Sequence, residues 1–343
     1  MDRHLQPTRR AAALLVASVV GLVLALPGTA QAEGRGAQGD GHGRAKVGVC
    51  HGSGGADGGG RFIRVSQRAV QAHAGHGDRV GVASGDECRS PEPQPEPEPA
   101  LPGRYLEEVF DAVAITSGLQ YGEAPDEAGM PERLLLDLYQ PEGDELARRP
   151  AIVWVHGGGF SGGTRAGEAD NAVSFAKRGY VTVSISYRLR SGDIGQAIAD
   201  AKHDAQAAVR WLRSNAEELR IDPDRIAIGG TSAGAITALM VGNHAEDPGT
   251  SGNPGFRSDV QAAVSISGFG GHYSPGDAPA ILFHGTADNV LPYALAVGTC
   301  DEIRRVGNVC ELHTYEGAGH SLYATARTDI QAKLAEFLHR QLF

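Results

Sequence analysis

An open, mostly parallel β-sheet with helices on both faces is the fold class this sequence predicts for residues 104–343, behind a small segment containing Cys and His. Three observations predict it. Short apolar runs alternate with helical patterns from residue 134 onward. Several runs, AIVWV and RIAIG among them, are continuous rather than alternating, as strands covered on both faces are. The clusters that can carry chemistry sit directly behind such runs, where open α/β sheets bind their ligands.

Composition sets the outer bounds. The chain has 343 residues and is 41% hydrophobic, enough for a sizeable core and too apolar for a wholly disordered chain. Its 48 glycines follow no three-residue period, which excludes collagen. The formal net charge of -10, without Lys/Arg blocks, argues against nucleic acid and against anionic membrane surfaces as partners.

In chain order, Arg3, Arg9 and Arg10 precede an apolar run over 11–26 and the small residues Ala30 and Ala32. This is the layout of a secretory signal peptide, expected to be cleaved after Ala32. The run is shorter than the ~20 residues of a membrane span. Thr8-Arg9-Arg10 leaves the export route open. Residues 33–44 are Gly-rich and read as disordered. Residues 45–88 form a small accessory module opened by Cys50-His51 and closed by Cys88. Residues 89–103, with RSPEPQPEPEPALP, read as a semi-rigid Pro/Glu linker, because proline fixes φ and removes an amide donor.

Within 104–343, strands are expected over 134–139, 151–156, 180–186, 225–229, 260–267, 280–284 and 309–315. Helices are expected over 168–178, 194–219, 233–243, 293–306 and 328–342. In the last, Ile330, Leu334, Phe337 and Leu338 fall at helical spacing.

Gly230-Thr231-Ser232-Ala233-Gly234 follows the strand RIAIG and opens a helix. A nucleophilic Ser on a sharp strand-to-helix turn needs small neighbours two residues either side, and the helix N-terminus favours developing negative charge. His156-Gly157-Gly158-Gly159-Phe160 follows AIVWV. Its glycines allow a turn, expected at Gly157, that points amide N–H groups into a cleft. Gly158, Gly159 and Ala233 are the expected oxyanion donors. A phosphate loop would need Gly-Lys-Ser/Thr, which is missing here. His156 reads as structural. His320, in GAGHS, is the candidate base, and Asp288, in HGTAD, the candidate acid, with Glu316 and Asp277 as rivals. The order Ser232, Asp288, His320 follows the nucleophile-elbow pattern.

Taken together, LLLDLYQP, PAIVWVHGGGFSGG, VSISYRL, DAQAAVRWLRSNAEELRIDPDRIAIGGTSAGA, HGTADNVLP and GAGH resemble the α/β-hydrolase carboxylesterases and lipases over nearly all of 105–343. The likeness is greatest to compact secreted feruloyl or acetylxylan esterases and short-chain carboxylesterases. The resemblance implies a serine ester hydrolase with Ser232 as nucleophile, His320 as base and Asp288 as its orienter, and with no metal or organic cofactor. It implies structural roles for Asp204, Trp211 and Asp222-Pro223. Ala235 stands where a Gly often follows, and the short stretch between Ser267 and Asp277 leaves little room for a lid. The base must be neutral to accept a proton, so activity is expected to rise with pH through ~6.5, the reference value of an imidazole. A serine peptidase of the same fold and a noncatalytic binding protein on this scaffold are the alternatives.

Four cysteines in an exported chain favour disulfides. Of three pairings, Cys50 with Cys88 and Cys300 with Cys310 is preferred, because the first brackets the small segment and the second links a helix to the next strand. Cys50, His51, His73, His76 and Cys88 could instead form a metal site. The segment weakly resembles a short Cys-His module of secreted bacterial proteins, and is expected to tether the enzyme to a surface or polysaccharide.

Overall fold

The computed structural model describes residues 46–51, 61–66, 69–75, 79–80, 101–243, 247 and 249–343. They belong to two compact units, divided between Pro99 and Ala100.

In the smaller unit β1 (Lys46–His51) pairs antiparallel with β2 (Arg61–Ser66) and with β3 (Arg79–Val80). A short helix, α1 (Val70–Gly75), lies between β2 and β3 in the chain. The rings of His51 and His73 meet edge to face at 5.1 Å. The side chain of Cys50, and His76 and Cys88, lie outside the described residues, as do the leader, the Gly-rich segment and the linker over 89–100. Among the described residues no group of His, Cys, Asp and Glu could hold a metal ion, and no helix is long and apolar enough to cross a membrane.

The larger unit is built on an eight-stranded sheet. Its strands are β4 (Val113–Pro125), β5 (Pro131–Pro141), β6 (Arg149–Val155), β7 (Val181–Ile185), β8 (Ile221–Thr231), β9 (Ala262–Ile266), β10 (Ala280–Gly285) and β11 (Cys310–Tyr315). The order across the sheet is β11-β10-β9-β8-β6-β7-β5-β4. The six strands from β11 to β7 are parallel, and β5 runs antiparallel to both of its neighbours.

The continuous apolar runs are explained by two buried faces. On β6, Ala151, Val153 and Val155 join one core cluster, and Ile152 and Trp154 join the other. The first face is covered by α3 (Ile194–Ser214), α4 (Ala233–Gly242) and α5 (Tyr293–Arg305) through residues such as Leu212, Leu239 and Ile303. The second is covered by α2 (Ala169–Lys177) and α6 (Leu322–Leu342) through Phe175, Leu334 and Phe337.

Several elements differ in bounds from the sequence expectation, and three of the differences have a clear physical reason. β4 was not anticipated, because it is an edge strand: most of its side chains are exposed or half-buried, and its pairing with β5 is interrupted by register shifts. Helix α3 stops at Ser214 rather than 219, capped by Asn215, whose side chain donates to the Trp211 carbonyl. Helix α6 starts six residues before 328, because Leu322 is buried among the second cluster and anchors an otherwise polar first turn.

Asp204 is fully buried and accepts from Nε and Nη2 of Arg188, tying α3 to the chain leaving β7. Trp211 packs against the first core cluster, and Asp222 Oδ1 accepts the Asp224 N–H where the pairing of β8 with β6 shifts register, between Ile221 and Ile226.

Cys300 and Cys310 form a disulfide between α5 and β11, as the spacing suggests. Closing this loop is expected to contribute about 2–3 kcal/mol. The double Ser variant should lose that much in urea denaturation at unchanged fold, and an unchanged midpoint would contradict the contribution.

Candidate active site

Strand β6 leads into the glycine loop and β8 into the nucleophile turn, and the two strands are adjacent. Ser232 sits at φ 56°, ψ -116°, a left-handed conformation that is strained for a side-chain-bearing residue. Close contact with β6 enforces it. A Cβ at Gly230 would lie 2.3 Å from the Val155 carbonyl oxygen, and one at Gly234 only 1.9 Å from it. The smallness of both neighbours is therefore a requirement of backbone approach. Ala235, where a glycine is frequent, is accommodated from the other side: a Cβ at Gly268 would meet the Ala235 methyl at 2.4 Å.

The strand ends bring the three predicted residues together. His320 Nε2 lies 2.8 Å from Ser232 Oγ, and His320 Nδ1 lies 2.7 Å from Asp288 Oδ2. The end of β9 holds both partners of the first contact. The Ser232 N–H donates to the Ile266 carbonyl, and the Ser267 hydroxyl donates to the His320 carbonyl. The base loop is further pinned by Ala287 N–H to the Ala318 carbonyl and Gly317 N–H to Thr286 Oγ1.

Asp288 is buried, and burial alone would raise its pKa. Hydrogen bonds from His284 and His320, and from the N–H groups of Leu291 and Val290, outweigh this and hold the carboxyl well below the usual carboxylate range. It is an anion at any working pH, set against the imidazole of His320. Glu316 accepts from Thr286 Oγ1 at the surface, and Asp277 Oδ2 accepts the Ser274 N–H in a turn, so neither rival acid faces the imidazole.

The glycine loop carries one correction. The turn is made at Gly158 and Gly159, at φ 120° and 62°, rather than at Gly157. Gly158 can only be glycine, since a Cβ there would lie 2.1 Å from the Gly162 carbonyl oxygen. Gly158, Gly159 and Ala233 line the same pocket as Ser232 and His320. Ala233 is the first residue of α4, where N–H groups have no intrahelical acceptor.

His156 is buried and stacked on Tyr187 at 4.3 Å, with Nδ1 2.7 Å from the Gly157 carbonyl oxygen. Burial lowers its pKa against the opposing effect of that hydrogen bond, so the ring is a neutral packing element.

Sequence reasoning missed His284. It is fully buried, and its Nε2 lies 3.2 Å from Asp288 Oδ2 and 2.8 Å from the Leu291 carbonyl oxygen. Its place at the end of β10, four residues before Asp288, was the available signal.

The pocket has a volume of about 470 Å³. Phe160, Ile236, Val290, Leu291 and Ala324 make its lining chiefly apolar, with Ser232 and His320 as convergent polar groups.

Comparison with known proteins supports the fold. Residues 136–275 match the BD-FAE family, and residues 269–343 match the prolyl oligopeptidase family. The apo structure of Thermogutta terrifontis esterase 2 superposes with a TM-score of 0.56 at 27% identity, covering 67% of this chain and 95% of that one. The chain has the α/β-hydrolase fold. It is 31% identical over 184 residues to phenmedipham hydrolase of Pseudarthrobacter oxydans, covering 52% of this chain and 32% of the relative. It is 32% identical over 116 residues to fumonisin B1 esterase of Sphingopyxis macrogoltabida, covering 30% and 21%. The chain thus spans about a fifth to a third of the length of the curated relatives it matches. Thermogutta esterase 2 has also been seen bound to propionate and phosphorylated by paraoxon.

Because the folded pKa of Asp288 is depressed, its contribution to stability is complete above its unfolded value of ~3.9 and is lost as pH falls below that. Asp288→Asn is expected to flatten the loss of stability below about pH 4. It should also lower turnover by about 10⁴-fold, because an amide favours the wrong tautomer of the imidazole. Acid denaturation and ester hydrolysis of the variant check both; an acid limb as steep as wild type would contradict the carboxylate's role in stability.

Proposed function

We propose that the protein is a secreted serine ester hydrolase acting on short acyl groups, free or displayed on a polymer such as a plant-wall polysaccharide. The observation that carries the reading is the unbroken line from Ser232 Oγ through His320 to the buried anion Asp288, at 2.8 and 2.7 Å. The chemistry follows from it. Ser232 Oγ attacks the ester carbonyl while its proton passes to His320 Nε2. The N–H groups of Gly158, Gly159 and Ala233 receive the oxyanion. The imidazolium, held by Asp288, returns the proton to the departing alcohol. Water then attacks the acyl-enzyme by the same route and releases the acid.

The chiefly apolar lining of the pocket beside Ser232 supports an acyl chain as its occupant. Secretion is supported by the basic-apolar-small pattern of the first 32 residues. The accessory segment over 45–88 is proposed as a tether to polysaccharide. Failure of the full-length protein to bind any wall preparation would remove that role.

The match of residues 269–343 to the prolyl oligopeptidase family favours a second reading, a serine peptidase. A p-nitrophenyl ester series from C2 to C16, run beside a peptide anilide, separates the two. Activity is expected to concentrate at C2 to C4. Ser232→Ala should lower turnover by at least about 10⁴-fold. Preference for the anilide would favour the peptidase, and a variant retaining most activity would contradict the nucleophile.

A further inference from the structure

Behind the nucleophile turn lies a carboxyl group that the mechanism above does not use. Glu168 ends the 3-10 turn over Arg165–Glu168, where the sequence suggested an ordinary helix start. It is 3% exposed. Thr231, the residue before Ser232, hydrogen-bonds it through both its side chain and its backbone. On its other side, Asn171 Nδ2 donates to Glu168 Oε2 at 2.7 Å. The Tyr323 hydroxyl lies 2.6 Å from Asn171 Oδ1 and 2.8 Å from Asp170 Oδ2, sharing its one proton between them, and Gln331 Nε2 donates to it at 2.8 Å. Tyr323 lies on the first turn of α6, three residues after His320, and lines the pocket together with Thr231.

Two features set this chain apart from routine polar packing. First, donors from two segments meet the carboxyl: Asn171 Nδ2 of α2 and Thr231 of the nucleophile turn. Donors on both sides favour a carboxylate between them. Second, it joins the segments that carry Ser232 and His320 by a route separate from the β9 contacts. The carboxyl also titrates in the working range: burial raises it, the Asn171 and Thr231 hydrogen bonds oppose this, and the result is about 7. Tyr323, raised by burial and by Asp170, stays a donor throughout.

Resting on the triad assigned above, we propose that Glu168 is a positioning residue for acyl transfer, its buried carboxylate holding the Ser232 turn and the His320 loop in one register through Thr231 on one side and Asn171 and Tyr323 on the other. The charged and titratable groups around it are Asp170 on α2, paired with Arg327 of α6, Tyr323 of α6, His156 beside the 3-10 turn, and the His320–Asp288 pair beyond Ser232.

Glu168→Gln tests this. The amide cannot accept from Thr231 and Asn171 at once without setting donor against donor. With p-nitrophenyl acetate, kcat should fall by about 10- to 100-fold, the scale of a small misplacement of reacting groups. KM should stay within about twofold of wild type, since Glu168 does not touch substrate. The ascending limb of the pH–kcat profile should move to lower pH, because the wild-type limb also carries the ionisation of Glu168 near 7, which the amide removes. Asn171→Ala and Tyr323→Phe interrupt the same line further out and should lower kcat in the same direction by less, which keeps the proposal testable if Glu168→Gln does not fold. Wild-type kcat in a folded Glu168→Gln protein, or in both of the other variants, would overturn the proposal. Ser232→Ala, measured alongside, distinguishes the two levels: an inactive Ser232→Ala beside a wild-type Glu168→Gln removes the Glu168 role alone, whereas an active Ser232→Ala removes the triad and this inference with it.

Discussion

The approach of the β8–α4 turn to the end of β6 is the contact on which the site depends. Gly230 and Gly234 press against the Val155 carbonyl with no room for a Cβ on either, and Ser232 between them is forced into left-handed backbone. A conformation of this kind costs about 1–3 kcal/mol and persists only where its surroundings over-determine it. Here they do: β6 and β8 run parallel in register up to Val155 and Gly230, and the Ser232 N–H is taken up by β9. Because the same strand β6 runs on into the glycine loop, one backbone contact places both the Ser232 hydroxyl and the glycines that line the same pocket.

The remaining groups are brought to that point by the sheet's crossover order. Parallel strands β8, β9 and β10 end side by side, so Ser232, Ser267 and the turn bearing Asp288 emerge on one edge. The acid is then stabilised by position. Two N–H groups and two histidines converge on a carboxylate that would otherwise resist burial, and the imidazole of His320 is left with one nitrogen for the hydroxyl. Both faces of the sheet are sealed by helices, which gives these hydrogen bonds a low-dielectric support and limits alternative arrangements.

Much of this was legible in the sequence, for identifiable reasons. Strands buried on both faces leave continuous apolar runs, so β5 to β10 could be located to within a few residues. The glycines flanking Ser232 and the loop after AIVWV mark close backbone approach, which no other residue satisfies. What escaped reading lacks a local signature. Edge strand β4 is largely exposed and irregular, so periodicity does not betray it. His284 and Glu168 lie in an ordinary strand end and a turn, and only the fold brings them against Asp288 and Thr231. The turn residue of the glycine loop was misplaced by one, because three successive glycines are equivalent until the Gly162 carbonyl singles out Gly158.

The central claim is that Ser232 is the single activated hydroxyl of this chain. Reaction with an organophosphate such as paraoxon, followed by peptide mapping by mass spectrometry, tests it most directly. One phosphoryl adduct per molecule, on the peptide bearing Ser232 and lost when His320 is replaced by Ala, is the expected result. No adduct, or one on another residue, would contradict the account.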